Sequence, residues 1–490
     1  MTKDNVSRRA FLKTGVAGAA VATSVLSVPS PVKALNANER LKVAFLGTGG
    51  RCQAHIGAVM KLQKAGKPIE AAAVCDVFNH NRERSAERIK KTVGGEPIVT
   101  GDYRELIDNK AIDAVCIAAP DHWHAKMTID ALDGGKHVYC EKPMTHTIQE
   151  SQDVVAAWEK SGTIMQVGTQ NTADGRWKAA NKFIRGGGIG KVVQAQTHYY
   201  RNSGMGQWRY YKLSREMTPK NIDWKMFLGT DFGLSPYLPF DRAVFGQWRC
   251  YWPFGSGLFT DLFVHRLTDM LITLGLRYPR RVVGGGGIFL EYDGRDVPDT
   301  ATITVDYDAG LQVLVTASMV SSSSPIDVCV RGHHGSIVLS TPTGFEFKPE
   351  RPQVTRKSDL KPQEFKADKP KDLTLAQWEN FLEAIGKNDQ QACNCPPDLG
   401  AAAISTITMG AESYRFGKVY EWDAEAKKKV ESSDAYAKQW EDMSKNRSAP
   451  RHVPGWKPID KDSMFSRQIP RDYQKLEGPW KDEQTDPVPE

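Results

Sequence analysis

The chain has 490 residues, a formal net charge of +7 and eight cysteines. With 40% hydrophobic residues it has the composition of a globular protein, and its length suits two or three domains rather than one. The positive charge is not gathered into a basic block, so nucleic acid is not an expected partner. The cysteines lack the spacing of zinc ligands, so no metal site is expected. Most of them are predicted to be buried thiols, and only Cys393 and Cys395 are expected to be exposed.

The first 34 residues have the features of a twin-arginine export signal. Residues 7–13, SRRAFLK, precede an uncharged run at 14–28 that is rich in Gly, Ala and Thr, and residues 32–34, VKA, resemble the region before a cleavage point. The run is too short and too weakly apolar to span a bilayer, which takes roughly 20 apolar residues. We therefore expect the Tat translocase to export the folded protein to the periplasm or otherwise out of the cytoplasm.

The chain after residue 34 opens with a strand, a glycine turn and a helix. An apolar run at residues 41–46 leads into the turn, and residues 54–66 have helical periodicity. Such a turn lets the backbone approach a pyrophosphate and directs the positive end of the helix at it. The residues of the turn that are predicted to bind a dinucleotide are Gly47, Gly49, Gly50 and Arg51.

A second predicted strand, residues 69–74, ends near Asp76. This is the distance at which an acidic residue accepts hydrogen bonds from an adenosine ribose. The same carboxylate would repel a 2′-phosphate, so NAD is the expected cofactor and NADP is less favoured, although Arg82 and Arg84 lie close by. The glycine pattern departs from the usual one at Cys52, which is still small enough for the helix to pack closely.

Alternating strands and helices continue to residue 165, which predicts a doubly wound α/β domain over residues 35–165. Ligands of such a sheet bind beyond the carboxyl ends of its strands. The polar residues that follow the strands at 113–119, 137–140 and 163–167 are therefore predicted to contact the cofactor: Pro120, His122, His124, Glu141, Lys142, Gln170 and Asn171.

Residues 166–423 are predicted to form an α+β domain. Alternating apolar residues predict strands at 282–292, 299–307, 311–320 and 326–340, which pair into a large, open, mostly antiparallel sheet. Beyond residue 424 the composition becomes charged and proline-containing, without regular periodicity after Ser444. Residues 424–490 are interpreted as an extended arm, with plain disorder as an open alternative.

The motifs, taken in order, resemble the Gfo/Idh/MocA family of nicotinamide-dependent sugar and cyclitol oxidoreductases. The resemblance covers residues 41–423 and implies an N-terminal Rossmann domain, a C-terminal domain whose helix and strand at 398–423 can pack back on the first, and a homo-oligomer formed through the open sheet. It is carried by the glycine turn, Pro120 with His124, Glu141-Lys142-Pro143, residues 186–192, residues 255–265, Trp378-Glu379-Asn380-Phe381 and the helix at 397–416.

Three residues are candidates for catalysis. Asp261 and His265 are four apart, so both side chains lie on one helix face. Oxidation of a secondary alcohol needs a base for the hydroxyl proton, and a histidine with a pKa of about 6.5 suits that task. Lys142 would hold the alcohol oxygen and stabilise charge on it. Asp261 would orient His265 or hydrogen-bond a neighbouring hydroxyl of the sugar. Alone, such a histidine is more often a core residue and such a lysine a solvated one.

The sequence indicates the residues that bind the substrate less specifically than those that bind the cofactor. Aromatic residues concentrate in the second domain, where their flat faces suit sugar rings, although they serve equally well as core. They are Trp177, Tyr199, Tyr200, Trp208, Trp248, Tyr251 and Trp252. We expect Arg201, Arg249 and Tyr251 to be the polar contacts of the substrate.

Three functions are compatible with the sequence. The first is an exported oxidoreductase that transfers hydride between tightly bound NAD(H) and a secondary alcohol of a sugar, cyclitol or sugar derivative. The second is a redox-neutral, NAD-dependent glycosidase that acts through a transient keto-sugar. The third is a non-catalytic binding protein, which the presence of Lys142, Asp261 and His265 together argues against.

Overall fold

A computed structural model describes residues 40–323, 326–350 and 361–445 of the chain. The predicted export signal lies outside these residues. So does the predicted arm beyond residue 445.

The first domain is a parallel sheet with helices on both faces. In the described chain it has six strands in the order β3-β2-β1-β4-β5-β6, every neighbouring pair being parallel. This confirms the predicted Rossmann architecture. The strands are β1 Leu41–Leu46, β2 Ile69–Cys75, β3 Ile98–Thr100, β4 Ala114–Ile117, β5 His137–Glu141 and β6 Met165–Gly168, and the helices are α1 Gly50–Lys64, α2 Asn79–Val93, α3 Tyr103–Asp108, α4 Asp121–Asp133 and α5 Ile148–Ser161.

Local sequence explains why these elements form. Strands β1, β4 and β5 are almost continuously buried, as expected of parallel strands that are covered on both faces. Helix α5 begins with a capping box. The Thr147 hydroxyl accepts a hydrogen bond from the Glu150 amide at 3.2 Å, and the Glu150 carboxylate accepts one from the Thr147 amide at 2.8 Å.

The second domain is built on a large mixed sheet. Among the described residues it has eleven strands in the order β15-β14-β13-β12-β7-β10-β9-β8-β16-β17, with β11 paired to β7. All neighbours are antiparallel except β7 and β10, which confirms the predicted open, mostly antiparallel sheet. The strands are β7 Val192–Asn202, β8 Arg281–Gly287, β9 Thr300–Tyr307, β10 Leu311–Ser318, β11 Val320–Ser321, β12 Cys329–Gly332, β13 Gly335–Val338, β14 Gly344–Pro349, β15 Gln363–Lys366, β16 Tyr420–Asp423 and β17 Lys428–Glu431.

The helices that follow residue 174 pack on this sheet or contact the first domain. They are α6 Gly175–Arg185, α7 Trp224–Leu228, α8 Arg242–Gly246, α9 Val264–Leu274, α10 Leu373–Lys387, α11 Pro397–Phe416 and α12 Ala435–Lys445. A π-helical turn, Phe259–Phe263, leads directly into α9.

Two predicted strands differ from the observed ones. Strand β8 ends at Gly287, five residues earlier than predicted, because the Asp299 carboxylate accepts hydrogen bonds from the amides of residues 289, 290 and 291 at 2.8–2.9 Å and curls the chain into a turn. The single strand predicted at 326–340 is a hairpin of β12 and β13. It is closed by the two-residue turn His333-His334.

Helices α10 and α11 tie the two domains together. Helix α10 packs on α1, and the Trp378 indole donates a hydrogen bond to His55 Nδ1 at 3.0 Å in the core of the first domain. Helix α11 lies between α5 of the first domain and β8 of the second, whereas the strand that follows it, β16, pairs with β8. From the predicted arm, β17 adds to this sheet edge, and Tyr436 of α12 stacks 3.9 Å from the Arg281 guanidinium.

The cysteines are all free and buried. This differs from the expectation for Cys393 and Cys395, whose side chains are 6% and 0% exposed. The reason is that this segment follows α10 across the first domain, where the Val167 amide donates a hydrogen bond to the Cys395 carbonyl at 2.9 Å. Within the described ranges, no helix has both the length and the apolar content needed to cross a membrane.

Candidate active site

A cavity of about 400 Å³ lies beyond the carboxyl ends of β1, β2 and β4. Its position is the one at which an open parallel sheet binds its ligand. Six of the residues predicted to bind a dinucleotide line it, namely Gly47, Gly49, Gly50, Arg51, Asp76 and Pro120. We call it the cofactor cavity.

Gly47 makes the tight turn at the floor of the cofactor cavity. It has φ +79°, and a Cβ at this position would lie 2.6 Å from the Cα of Ala119. Gly49, by contrast, faces open space, so the backbone there is free to meet a ligand. The turn delivers the chain to the N-terminus of α1, whose free amides favour a phosphate.

Asp76 closes the cavity at the end of β2. Its carboxylate accepts hydrogen bonds from the Phe78 amide at 2.8 Å and from the Asn81 side chain at 3.2 Å. Burial raises the pKa of Asp76, and these hydrogen bonds oppose that effect. Together with the glycine cradle, an acidic group at this point fits NAD and disfavours a 2′-phosphate. Arg84 of the lining donates to the carbonyl of Thr48, and Arg82 donates to the backbone carbonyl of Asp76.

A segment of the second domain covers the cofactor cavity. Residues 203–255, here called the cover segment, follow β7 and dock on the end of β2 through two backbone hydrogen bonds, Asn79 amide to Asn221 carbonyl and Asp223 amide to Val77 carbonyl, both of 3.0 Å. Its apolar side chains form the opposite wall of the cavity. They include Met217, Met226, Phe227, Phe245 and Trp248.

A second cavity of about 410 Å³ adjoins the first, and we call it the substrate cavity. Arg51, Tyr210, Tyr211 and Arg249 line both. The other predicted site residues in its lining are Glu141, Lys142, Gln170, Asn171, Arg201, Asp261 and His265. The structure thus brings the three catalytic candidates together beside the cofactor cavity.

Lys142 and Asp261 form the central pair of the substrate cavity. The Lys142 ammonium donates to Asp261 Oδ1 at 2.7 Å and to the Asp261 carbonyl at 3.0 Å. Asp261 also accepts hydrogen bonds from the Trp208 indole at 2.9 Å and from Arg249 at 3.3 Å. Burial acts to raise the pKa of Asp261, but Lys142 and Arg249 hold it well below its usual range. Asp261 therefore stays ionised and fixes the ammonium group.

His265 stands on the same helical face, one turn after Asp261. Its ring lies 6.0 Å from the ring of Tyr199, centroid to centroid. Burial, followed by the charge of Lys142, lowers the pKa of His265 to about 3, so the imidazole is neutral at physiological pH. Among the described residues, the side chain of Asp261 forms hydrogen bonds with Lys142, Trp208 and Arg249 rather than with His265, which differs from the orienting role considered for it.

Glu141 links the two cavities through a buried network. Its Oε1 accepts hydrogen bonds of 2.8 Å from Arg51, His55 and Gln170. Burial alone would raise the pKa of Glu141, but Arg51 and His55 hold it well below its usual range. Glu141 therefore positions Arg51 and Gln170 at the junction of the cavities, while Asn171 is held by Asp269 at 3.2 Å.

His122 and His124 line neither cavity, which differs from their predicted contact with the cofactor. His122 points into the cover segment, where its Nε2 contacts the Phe227 carbonyl at 2.9 Å, and burial lowers its pKa to about 3. Both nitrogens of His124 face carbonyls, those of Pro143 at 2.6 Å and Ala119 at 2.8 Å. Burial alone would lower the pKa of His124, but its contacts with Cys140 and these carbonyls raise it. Both histidines pack behind the site.

Tyr251 also lies outside the substrate cavity. It follows the helical turn Trp248–Cys250 with extended backbone and lines a separate cavity with Arg209 and Arg295. Of the aromatic candidates, Tyr199 lines the substrate cavity and Trp248 the cofactor cavity. The others, Trp177, Tyr200 and Trp252, line neither.

The structure assigns a role to Trp208, one of the aromatic candidates, and adds two site residues that were not predicted, Tyr210 and Tyr211. Trp208 adopts φ +67°, unusual for a bulky residue, while its buried indole holds Asp261. Tyr210 and Tyr211 follow it and line both cavities. Only the short aromatic run in the sequence pointed to this role, since the contact with Asp261 spans 53 positions.

Sequence comparisons agree with this geometry in both domains. Residues 41–169 match an oxidoreductase family with an NAD-binding Rossmann fold, Gfo/Idh/MocA, and residues 236–338 match the Gfo/Idh/MocA C-terminal domain. An uncharacterised oxidoreductase of Bacillus subtilis, YrbE, is 24% identical over 392 residues, which cover 77% of this chain and 96% of that protein. An alpha-N-acetylgalactosaminidase of Shewanella oneidensis is 29% identical over 237 residues, which cover 42% of this chain and 50% of that enzyme.

Solved structures give the same fold. An NAD-binding oxidoreductase from Klebsiella pneumoniae superimposes with a TM-score of 0.59 at 22% identity, covering 78% of this chain and 98% of that one. The glycine turn, the sheet order and the matched domains all point the same way, and the chain is therefore an NAD-binding member of the Gfo/Idh/MocA oxidoreductase family.

Proposed function

We propose that this protein is an exported oxidoreductase that uses retained NAD(H) to interconvert a secondary alcohol of a sugar, cyclitol or sugar derivative and the corresponding ketone. The observation that carries the proposal is the Lys142–Asp261 pair, 2.7 Å long, in a polar cavity that shares its wall with the cofactor cavity. Export is supported by the arginine pair and the uncharged run within residues 1–34.

The cofactor is held by the glycine turn, Asp76 and Pro120 in this proposal. When bound there, NAD supplies the acceptor or donor for a hydride at its nicotinamide ring. The apolar wall from the cover segment excludes water from this region, which strengthens the electrostatic interactions inside it.

The residues of the substrate cavity handle the hydroxyl group. The Lys142 ammonium, fixed by Asp261, donates a hydrogen bond to the substrate oxygen and stabilises negative charge on it. The imidazole of His265 is neutral and accepts the hydroxyl proton at a ring nitrogen, but its lowered pKa makes it a weaker base than the pKa of about 6.5 assumed from the sequence. Because Asp261 remains ionised, the ammonium keeps its orientation while charge develops on the oxygen.

Enclosure by the cover segment supports retention of the cofactor. The segment is docked on β2 by backbone hydrogen bonds and by an aromatic contact of 5.7 Å between Phe78 and Phe245, so release of a dinucleotide requires it to move. A protein that keeps NAD(H) through export must restore it within the site, by a second substrate or by the same one.

A second candidate function is a redox-neutral glycosidase. It is favoured by one observation, the likeness of 237 residues to an alpha-N-acetylgalactosaminidase, although the match spans half of that enzyme. In this case the same residues would act on a sugar hydroxyl next to the bond that is cleaved. The oxidoreductase remains our first choice because Lys142, the residue that favours ordinary alcohol oxidation, lies in the substrate cavity and is held there by Asp261.

The first experiment asks whether the purified protein contains the cofactor. We expect absorbance and fluorescence of NAD(H) in protein prepared without added nucleotide. A preparation that contains none and binds none on titration would rule out both enzymatic functions.

The second experiment separates the two functions. Free sugars and aryl glycosides are incubated with the protein, with and without external NAD. Reduction of the bound cofactor by a free sugar supports the oxidoreductase, whereas glycoside cleavage without net NADH supports the glycosidase.

The role of Lys142 is tested by Lys142→Ala. We expect turnover to fall about 100-fold or more, since a positioned charge on a developing oxyanion is lost, while NAD affinity changes little. Lys126→Ala is the matched control, because Lys126 makes an equally short pair of 2.7 Å with Asp130 outside both cavities. Near-normal turnover in Lys142→Ala would remove this residue from the mechanism.

We also propose that the protein is a homo-oligomer that pairs through the open face of the second sheet. Tyr200 and His198 stack there at 5.2 Å, on the side of β7 opposite the substrate cavity. Light scattering on the purified chain tests this, and a monomer at micromolar concentration would contradict it.

A further inference from the structure

The substrate cavity has more cationic than anionic side chains. The two carboxylates in its lining are already paired, Glu141 with Arg51 and Asp261 with Lys142 and Arg249. Two guanidinium groups, those of Arg201 and Arg266, are left without a partner among the carboxylates of the lining.

Arg201 lies on the cavity face of β7, two residues after Tyr199 and therefore on the same side of the strand. Its Nη2 donates to the Tyr199 hydroxyl at 2.5 Å, and its guanidinium lies 4.7 Å from the centre of that ring. Within residues 40–323, 326–350 and 361–445, Arg201 forms no ion pair. Asp261, which contacts Lys142 and Arg249, acts on Arg201 only at longer range, and a half-buried guanidinium without a contacting counter-ion is costly unless a ligand supplies one.

Arg266 approaches the same ring from helix α9. Its guanidinium lies 5.0 Å from the ring centre of Tyr199, so both cations contact this ring. The carboxylate nearest to it, that of Asp269, is 3.7 Å from Nη1, beyond hydrogen-bond distance, and Arg266 Nε is buried without a hydrogen-bond partner among the described residues. Burial raises the pKa of Asp269 to about 7, which weakens its compensation of Arg266 near neutral pH.

We propose that the substrate is a sugar that carries an oxyanion, either the carboxylate of a sugar acid or a phosphate ester, and that Arg201 and Arg266 bind this group. Lys142 and His265 lie in the same cavity and contact the hydroxyl that reacts. The proposal rests on the function proposed above, because it assigns the substrate class of that same site. Guanidinium groups suit both oxyanions, since their parallel N–H groups match two oxygens at once.

Calorimetric titration of the NAD-loaded full chain tests the proposal without requiring turnover. The panel consists of glucuronate, galacturonate and gluconate, the 6-phosphates of glucose and galactose, and the neutral parent sugars. We expect at least one anionic sugar to bind about 10- to 100-fold more tightly than its neutral parent, as for hydrogen bonds to charged groups. The acids and the phosphates in the panel decide which oxyanion the site takes.

Three variants test whether Arg201 and Arg266 cause the preference for the anionic sugar. Arg201→Gln and Arg266→Gln should each reduce the preference for the anionic sugar about 10-fold, and Arg201→Lys should restore part of it. Arg209→Gln is the control, because this arginine lies outside the substrate cavity beside Glu291 and Asp293. Circular dichroism and the retained NAD(H) verify that each variant is folded.

The outcomes separate this proposal from the function on which it rests. Three results would overturn the oxyanion site. They are equal binding of anionic and neutral sugars, no binding of any anionic sugar, and a preference for the anionic sugar that survives in both Arg201→Gln and Arg266→Gln. Turnover is measured in parallel. Oxidation of neutral sugars without any preference would leave the proposed function intact, whereas tight, arginine-dependent binding without redox or glycosidase turnover would reject that function and keep the oxyanion site.

Discussion

Gly47→Ala tests whether the first turn needs glycine for close packing or only for its backbone angle. In the structure, the added Cβ would lie 2.6 Å from the Cα and 2.7 Å from the amide nitrogen of Ala119. Backbone atoms cannot rotate away as a side chain can, so the strand end or the turn must shift. Overpacking of this kind costs about 1–3 kcal/mol of the free energy of unfolding.

Gly66→Ala is the matched control for this substitution. Gly66 has φ +77°, within 2° of Gly47, but a Cβ there would have nothing within 4 Å. Both variants carry the cost of a left-handed alanine, about 1–2 kcal/mol, and both gain from a stiffer unfolded chain. The difference between them therefore isolates the contact with Ala119, and we expect it to be about 2 kcal/mol.

Urea unfolding measures both variants, first after the retained NAD(H) has been removed and then at increasing NAD concentrations. Since a ligand stabilises the folded state by an amount that grows with the logarithm of its concentration relative to Kd, the second series also reports NAD binding. We expect Gly47→Ala to bind NAD at least about 10-fold more weakly, because Ala119 lines the cofactor cavity, and Gly66→Ala to bind it normally. Equal stability and equal NAD affinity in the two variants would refute the packing argument.

Two further predictions concern the site and the pH dependence of stability. Trp208→Phe removes the 2.9 Å hydrogen bond to Asp261. Turnover should fall about 10- to 100-fold, with NAD affinity retained. Unchanged steady-state kinetics would show that Lys142 and Arg249 hold Asp261 without the indole. His137 is buried and neutral, with its pKa lowered to about 4 by burial, while its Nδ1 accepts a hydrogen bond of 3.0 Å from the Ile164 amide. The unfolded state binds the extra proton between pH 6.5 and 4, so this stability is present at neutral pH and is lost on acidification, by about 3 kcal/mol. His137→Asn keeps an acceptor without a titrating group, and its urea midpoint should therefore fall less steeply from pH 7 to 4 than that of the unaltered protein; parallel profiles would contradict this.

The cofactor cavity could be predicted from the sequence because its signals are local. The turn at Gly47, the helix that follows and Asp76 at the end of β2 all lie within one strand–helix–strand unit, where spacing alone fixes the geometry. His122 and His124 show the limit of such reasoning. They follow the correct strand, but helix α4 begins immediately after Pro120 and turns both rings away from the cavity and into protein contacts.

Contacts between distant parts of the chain could not be predicted from the sequence. Trp208 of the cover segment reaches Asp261 across 53 positions of the chain, and Asp299 ends β8 by binding the amides that would have continued it. Asp261 was predicted to lie beside His265, and both do line the substrate cavity, yet its ion pair is with Lys142 from the other domain. Periodicity identifies the face of a helix but not the partner that meets it.

The position of α10 has a consequence for how the protein is made. Trp378 and Phe381 lie in the same core as Val43, Phe45 and Ile56 of the first strand and helix, and His55 is bound to the Trp378 indole. The ribosome must therefore synthesise more than 300 residues beyond β1 before that core can close. A nascent chain stalled near residue 170 would present the bare face of α1 to chaperones, and the nucleotide-binding half cannot be transplanted as an independent module without carrying α10 with it.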